Sequence, residues 1–153
     1  MGFVSYKQVV DNFEAACNAH DYVASFAHGS IDYLDASSQN IKYPYVFLRP
    51  LQSPGYSQDS RIIERSFELY GLDVPKLSTE SPVDIMSRME MTLLDITGYF
   101  IWGPPSNDQS TGYDIIVTNQ IPTLEAFNDR AYGWVLNINV QTQGTYNYCD
   151  YPA

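Results

Sequence analysis

Residues 113–141 read YDIIVTNQIPTLEAFNDRAYGWVLNINVQ, and this stretch decides the fold class of the chain. Apolar and polar side chains alternate on both sides of a short polar turn at residues 128–130. Because successive side chains of a β-strand point to opposite faces, this period predicts a long hairpin with one apolar face. In its second strand the apolar row consists of Tyr132, Trp134, Leu136, Ile138 and Val140.

Two capping patterns predict where helices begin. Ser5 followed by Gln8 is a capping-box pair, which satisfies free backbone amides at a helix start. Apolar residues then recur at helical spacing and predict a first helix over residues 6–27, ended by Gly29. Ser81 is placed to cap a second helix that has a proline in its first turn and a long apolar face.

Strands are predicted between the two helices. Residues 43–51 are rich in aromatic and β-branched side chains, but their two prolines favour an edge or strand-end position. Residues 52–60 read as a turn-rich loop. Residues 61–74 read as a second strand, whose apolar face shifts near Gly71 and predicts a bulge there.

These elements together predict the fold class. We expect an α+β fold in which a mixed or antiparallel sheet of about four main strands is packed by two helices, in the order α-β-β-α-β-β. A single domain over residues 1–153 is expected, because a chain of 153 residues is long enough to bury one sizeable core.

The charge balance limits the kinds of partner. The chain has 18 acidic and 8 basic residues, which gives a net charge of −10. A protein that grips nucleic acid needs a positive surface, so this class is disfavoured. An acidic surface is typical of many soluble proteins, and it also suits a wall along which DNA slides without sticking. The 13 tyrosines fit either protein interfaces or ordinary core and rim positions.

Candidate catalytic and metal-binding residues are few. Cys17, His20 and Asp21 stand at helical spacing, but adjacent positions on one helix favour a buried helix face over a nucleophile with its base. His20 and His28 lack the spacing of a known metal motif. Nucleotide-binding and hydrolase motifs are also absent from the sequence. We therefore expect no enzyme activity, no cofactor and no metal.

Two further groups favour contacts between subunits over chemistry. On the second predicted strand, carboxylates alternate with arginines, a pattern of cross-strand ion pairs or subunit contacts. Of the methionines of the second helix, Met91 lies off the main apolar stripe and is expected to touch a partner. The carboxylates are Glu64, Glu68 and Asp73, and the arginines are Arg61 and Arg65.

The sequence also suggests where the protein resides. The N-terminus has no long apolar run, and no segment approaches the roughly 20 apolar residues of a membrane span. Its two cysteines, Cys17 and Cys149, do not form the framework of a secreted protein. We expect synthesis in a reducing cytoplasm and no membrane partner.

Four segments carry a resemblance to a known family. They are YPYVFLRP at 43–50, RSFELYGLDV at 65–74, DIMSRMEMTLLDITGYF at 84–100 and FNDRAYGWVLNINVQ at 127–141. In this order, and after an N-terminal helix, they resemble the small tail-terminator or neck proteins of tailed bacteriophages. The resemblance covers roughly residues 6–142 and rests on element order and short local patterns.

The resemblance implies a structural protein of the virion. Such a subunit closes into a ring, commonly a hexamer, that ends the tail tube, joins it to the head connector and lets double-stranded DNA pass. The implied partners are copies of itself, the tail tube, and the connector or stopper proteins. The subunit contacts are expected at Arg61, Arg65, Met91, Asp129, Arg130 and Tyr132. Acidic residues expected to face the channel are Asp32, Asp35, Asp59 and Asp108.

Two other readings remain open. A head-side stopper or connector ring has similar requirements. A small α+β ligand-binding or enzymatic domain is the alternative from a different class, since fold alone does not decide function. A deep pocket with convergent polar groups near His20 or His28 would favour this second alternative.

Overall fold

The computed structural model describes residues 4–30, 41–57, 61–76, 80–103, 113–126 and 130–143. Within these ranges it is an α+β structure with two helices and a six-stranded sheet. The helices are α1 (Tyr6–Ala19) and α2 (Pro82–Trp102). The strands are β1 (Ser25–His28), β2 (Tyr45–Pro50), β3 (Gly55–Ser57), β4 (Ile62–Asp73), β5 (Asp114–Ala126) and β6 (Ala131–Gln143).

The sheet is mixed and open. Its main strands lie in the order β1-β2-β4-β6-β5, and β3 pairs with the first part of β4. β1 and β2 are parallel, whereas the other pairs are antiparallel. The two longest ladders join β4 to β6 and β6 to β5, so β6 lies in the middle of the antiparallel half.

Both helices pack on one face of this sheet. Phe13 of α1 stacks on Phe100 of α2 with ring centroids 4.3 Å apart, and it also contacts Phe67 of β4. The register places Phe67 opposite Ile138, so the same face continues onto β6. Other buried members of this core are Val9, Val46, Leu48, Leu69, Leu93, Ile96, Leu136 and Val140.

The opposite face carries a smaller aromatic cluster. Tyr45 and Phe47 of β2 are buried there, packed against neighbours that include Tyr70 of β4. Beside them, the Arg49 guanidinium donates to Glu68 at 2.7 Å, and the Tyr70 hydroxyl donates to the other carboxylate oxygen at 2.7 Å. Burial, with the hydrogen bond to Glu68, raises the pKa of Tyr70 to about 12.

Both predicted helix starts are confirmed. The Ser5 hydroxyl accepts from the Gln8 amide while the Gln8 side chain accepts from the Ser5 amide, which completes the capping box. Ser81 caps α2 by accepting from the Asp84 amide at 3.2 Å, and Pro82 occupies the first turn.

The predicted end of the first helix is wrong. α1 ends at Ala19, because His20 is already extended and its amide donates to the Cys17 carbonyl. Residues 25–28 form β1 instead, paired in parallel with β2. A sheet ladder therefore replaces the helical turns that the apolar spacing of residues 20–27 had predicted. The structure also contradicts the predicted role of Gly29.

The predicted element order and one loop are also wrong. β1 and β3 add two short strands, so the order among the described residues is α-β-β-β-β-α-β-β instead of α-β-β-α-β-β. β3 lies within residues 52–60, which were predicted as a loop, and it pairs residue by residue with the start of β4. Both strands are too short to show a clear alternation, and pairing with a longer neighbouring strand defines them.

The bulge predicted near Gly71 is absent from β4. Its pairing with β6 runs unbroken from Ile62 to Asp73. Leu93 of α2 fills the space that a side chain at residue 71 would need, since a β-carbon there would lie 2.8 Å from it. The register irregularities lie in β5 instead, between Val117 and Asn119 and again after Thr123.

The predicted apolar row of β6 is confirmed for four of its five members. Leu136, Ile138 and Val140 are buried in the core, and Trp134 packs against it. Neither helix in the described part of the chain is long and apolar enough to cross a bilayer.

Candidate assembly surfaces

A cleft of about 580 Å³ opens between the two helices. The helices meet through Phe13 with Phe100 and through His20 with Asp95, and the small residues Ala16, Ala19 and Gly98 line the gap between them. These residues leave room where larger side chains would have closed the helix pair. Leu94, Tyr99 and Gly103 complete a mainly apolar lining.

A histidine–carboxylate pair stands at the rim of this cleft. His20 Nδ1 accepts from the Tyr22 amide at 3.2 Å, so the neutral ring carries its proton on Nε2. Nε2 lies 3.0 Å from Asp95 Oδ2 and donates to it. The Asp95 side chain is 53% exposed, so it presents negative charge to solvent beside an apolar cavity.

The structure separates the three residues that suggested a nucleophile. Cys17 is buried in the core, and burial raises the pKa of its thiol to about 12. A thiol in this setting stays protonated and is a poor nucleophile at neutral pH. His20 bonds to Asp95, whereas Asp21 is exposed. The interpretation of Cys17 as part of a buried helix face is confirmed.

The two histidines lie in different settings. His28 Nε2 is 2.6 Å from the Tyr6 hydroxyl, and its ring meets Tyr6 edge-on, while burial lowers its pKa. His20 faces the helix cleft. Within the described ranges, His, Cys, Asp and Glu side chains form no group of three that could hold a metal ion.

The sequence did not predict a buried ionic cluster that joins Tyr22, Asp73 and Arg88. Asp73, fully buried at the end of β4, accepts a short hydrogen bond from the Tyr22 hydroxyl and one from the Val74 amide at 2.8 Å. Arg88 of α2 reaches Asp73 Oδ2 at 3.7 Å and pairs with Glu80. Tyr22 and Asp73 are 51 residues apart, and no local pattern joins them.

The predicted carboxylate pattern on β4 takes a different form. Glu68 does form a cross-strand ion pair, but its partner is Arg49 of β2 and not a β4 arginine. Arg65 points to the helix side, where it donates to Thr142 Oγ1 at 3.0 Å and to the Val4 carbonyl at 2.9 Å. Arg65 therefore links the N-terminal segment to β6 through hydrogen bonds within the subunit. Its contact with another subunit stays a prediction.

Two other predicted interface residues, Arg61 and Arg130, share an unusual conformation. They are exposed, with φ of 55° and 53°, and each directly precedes a long strand. The left-handed region is uncommon for residues other than glycine, and its occupation costs on the order of 1 kcal/mol. Met91 is 62% exposed on α2.

The remaining predicted contact residues are Tyr132 and Asp129, and Tyr132 is the one that lies within the described ranges. Tyr132 is half-buried on β6 and interacts within the chain. Asp129 lies outside the described residues, as do the four residues expected to face a channel: Asp32, Asp35, Asp59 and Asp108.

Among the described strands, the exposed large apolar side chains all lie on β5. Within the described ranges β5 pairs only with β6, so the other side of its 13-residue backbone is unpaired there. Four large apolar side chains on this strand are exposed: Ile116, Val117, Ile121 and Leu124. Proteins usually protect long apolar edges of this kind, because such edges are templates for pairing with another chain.

The chain matches no protein-family model, and a search of curated proteins finds no significant match.

Proposed function

We propose that this chain is a virion structural protein of a tailed bacteriophage, which assembles with copies of itself into a ring in the neck. The ring, a hexamer in this proposal, ends the tail tube and joins it to the head connector. Self-assembly is supported by the exposed apolar edge of β5. The finer assignment to a tail terminator is supported by the resemblance of residues 6–142 to that family.

The β5 edge supports self-association for two physical reasons. Its unpaired backbone groups provide a long row of donors and acceptors, and side chains such as Leu124 (63% exposed) remain in water. Burying the exposed part of each large apolar side chain contributes roughly 1 kcal/mol. A neighbouring copy that covers this edge therefore lowers the free energy of the assembly and removes an aggregation-prone surface.

The charge of the chain fits passage of DNA. With a net charge of −10 per copy, a ring has a strongly negative field that repels phosphate groups. We propose that DNA passes through the ring without specific binding. Assembly in the host cytoplasm and residence in the virion complete this proposal.

Native mass spectrometry and light scattering of the purified full chain test self-assembly. We expect a discrete ring species whose population rises with protein concentration, and images of single particles should show a central opening. Added tail-tube protein should bind the ring, and tube growth should stop. A strictly monomeric protein at high concentration, unchanged by tube protein, contradicts the proposal.

A matched pair of variants locates the contact. Ile121→Lys with Leu124→Lys places two charges on the β5 edge, and we expect loss of the ring with retention of the folded monomer. Val83→Lys is the control, because Val83 is 70% exposed on α2 and lies off the β5 edge. Equal assembly of the two variants would show that β5 is not the contact.

The head-side stopper remains an alternative within the same structural class, and binding to purified connector instead of tube protein would favour it. The helix cleft favours the other class, a ligand-binding or enzymatic domain, because it lies at His20 and pairs a polar rim with an apolar lining. A small molecule that binds the monomer through this cleft, in a protein that does not self-associate, would support that class.

A further inference from the structure

We infer that the cleft between α1 and α2 binds a small organic cation, a molecule with an apolar body and a single ammonium group, whose charge pairs with Asp95. This binding site goes beyond the proposed ring and does not depend on it. Three features of the described residues support it. They are an apolar cavity of suitable size, a glycine that the packing of the subunit does not require, and a carboxylate at the rim.

The cavity has the size and the lining of a small-molecule site. Its volume of about 580 Å³ lies within the range of roughly 300–1,000 Å³ that is usual for ligand pockets. Ala, Leu, Gly and Tyr residues form most of the wall, which favours an apolar body over a polar one. The histidine and the carboxylate of this lining, His20 and Asp95, bond to each other, so the charged chemistry is concentrated at one point of the rim.

Gly98 gives independent support for an occupant. It lies in the interior of α2, where glycine destabilises a helix relative to alanine. A β-carbon at this residue would meet no atom of the described chain within 4 Å, so packing within the subunit does not require glycine. The missing side chain leaves the helix backbone open to the cleft that Gly98 lines. Glycine is typical of places where a ligand approaches the backbone closely.

The carboxylate at the rim favours a positive charge. Asp95 Oδ2 accepts from His20 at 3.0 Å, and Oδ1 makes no hydrogen bond within the described part of the chain. The Asp95 side chain is 53% exposed, so a ligand in the cleft can reach this second oxygen. A hydrogen bond from an ammonium group to a carboxylate is stronger than one from a neutral donor.

Two neighbouring features add to the preference for a cation. The last turn of α1, which includes Ala16 and Ala19, lines the cleft and contains no basic residue. The negative end of the helix dipole is therefore not compensated by a lysine or arginine of that turn. Tyr99 follows Asp95 by one helical turn and lines the same cavity, and aromatic rings attract ammonium groups. Carboxylate, helix end and ring thus all favour an ammonium group over an anion.

These preferences together define the class of ligand. A fatty acid would place like charge against Asp95, and a neutral alcohol lacks the charged hydrogen bond. A polyamine carries several charges that the apolar wall does not match. A primary alkylamine combines an apolar body with one charge, and it is protonated at neutral pH because amino groups of this kind have a pKa of about 10.4.

Isothermal titration calorimetry of the full chain at neutral pH tests the site. Octylamine, octanol and octanoate share one alkyl chain and differ in charge, whereas methylamine has the charge without the chain. We expect octylamine to bind at least about tenfold more tightly than octanol or octanoate, because it alone pairs with the Asp95 carboxylate. Methylamine should bind at least about tenfold more weakly than octylamine, because it leaves the apolar wall in water.

A first pair of variants locates the charge. Asp95→Asn removes the charge but keeps an oxygen that can accept from His20. It should weaken the binding of octylamine about tenfold and leave the binding of octanol unchanged. Glu14→Gln makes the same change of charge at an exposed position of α1 outside the described lining, and it should bind both molecules as the wild type does.

A second pair locates the apolar body. Gly98→Leu adds a side chain to the cavity and should weaken octylamine and octanol alike, each at least about tenfold. Ser87→Leu adds the same side chain at an exposed position of α2 outside the described lining, and it should leave both affinities unchanged. Thermal unfolding of each variant monitors folding, and the Asp95 pair keeps the test valid should Gly98→Leu not fold.

Three outcomes overturn the inference. Equal affinities for octylamine, octanol and octanoate would show an apolar cavity without a preference for charge. Equal weakening of octylamine by Asp95→Asn and Glu14→Gln would show that the amine responds only to the net charge of −10. No binding of octylamine by the wild type at millimolar concentration would remove the site, and loss of the ring in Gly98→Leu would then identify a second copy as the occupant. Light scattering of the same samples reports the ring separately, so failure of this site and failure of the proposed assembly are distinguishable.

Discussion

β5 and β6 are consecutive strands of equal length, yet they have opposite surroundings. Each has 13 residues and both carry rows of Ile, Val and Leu. β6 lies between β4 and β5 and under α2, so Leu136 is only 3% exposed. β5 pairs on one side only within the described ranges, and Leu124 is 63% exposed.

This difference shows that burial of a strand depends on its neighbours as much as on its own sequence. An apolar residue on β6 contributes to the folding of one subunit. On β5 an exposed residue of the same type contributes little to folding of the subunit. We expect it to stabilise the contact with whatever molecule covers the edge. Substitutions should therefore separate folding from assembly strand by strand.

The largest effect on folding is expected from Gly133→Ala in β6. A β-carbon at residue 133 would lie 1.8 Å from the Gly71 carbonyl oxygen and 2.9 Å from its carbon. Because these are backbone atoms of the paired strand, the ladder itself must shift. We expect the free energy of unfolding to fall by about 4 kcal/mol or more. Urea denaturation followed by circular dichroism measures this loss.

The control for this substitution lies directly opposite on β5. Thr123 pairs with Gly133, and Thr123→Ala should change the free energy of unfolding by less than about 0.5 kcal/mol. Similar losses at the two positions would contradict the contrast between the strands.

The second effect compares two leucines. Leu136→Ala leaves a cavity in the core and should lower the free energy of unfolding by about 2–3 kcal/mol. Leu124→Ala should cost less than about 0.5 kcal/mol in the monomer, since this side chain is already in water. It should nevertheless weaken assembly, which light scattering of the same samples measures. A large loss of monomer stability in Leu124→Ala would show that β5 is covered within its own subunit.

The local parts of this fold could be predicted from the sequence. Ser5 and Ser81 start helices because a cap acts on amides within three residues, and both starts are confirmed. The buried row of β6 follows from a period of two. Met91 was expected off the apolar stripe of its helix, and it is 62% exposed.

The non-local parts could not be predicted. Residues 20–27 keep an apolar spacing that suits a helix, and only pairing with β2 makes residues 25–28 a strand. The cleft depends on small residues of two helices that meet in space, and its polar pair joins His20 to Asp95 across 75 residues. The alternation of β5 resembles that of β6, and the sign of an edge position in β5 is Pro122, which has no amide to donate to a ladder.

The smallest expected effect is a change in the free energy of unfolding with pH, and it arises chiefly from Tyr70 on β4. Burial, with its hydrogen bond to Glu68, raises the pKa of Tyr70 to about 12, above its ordinary value of 10.0. Burial also raises the pKa of Tyr22 and of Tyr6. Between pH 10 and 12 the unfolded chain releases these phenol protons more readily than the folded chain. The free energy of unfolding is therefore retained below pH 10 and falls as the pH rises toward 12.

Tyr70→Phe tests this expectation at one position. The variant lacks the titrating hydroxyl, so its free energy of unfolding should decrease less steeply between pH 10 and 12 than that of the wild type. Urea titrations at pH 9, 10 and 11 give the slope. Tyr132→Phe on β6 serves as the comparison, and equal flattening in both variants would remove Tyr70 as the cause. Because Tyr70 lies on β4 and not on β5, the β5 edge should assemble in the same way in the variant and in the wild type at neutral pH.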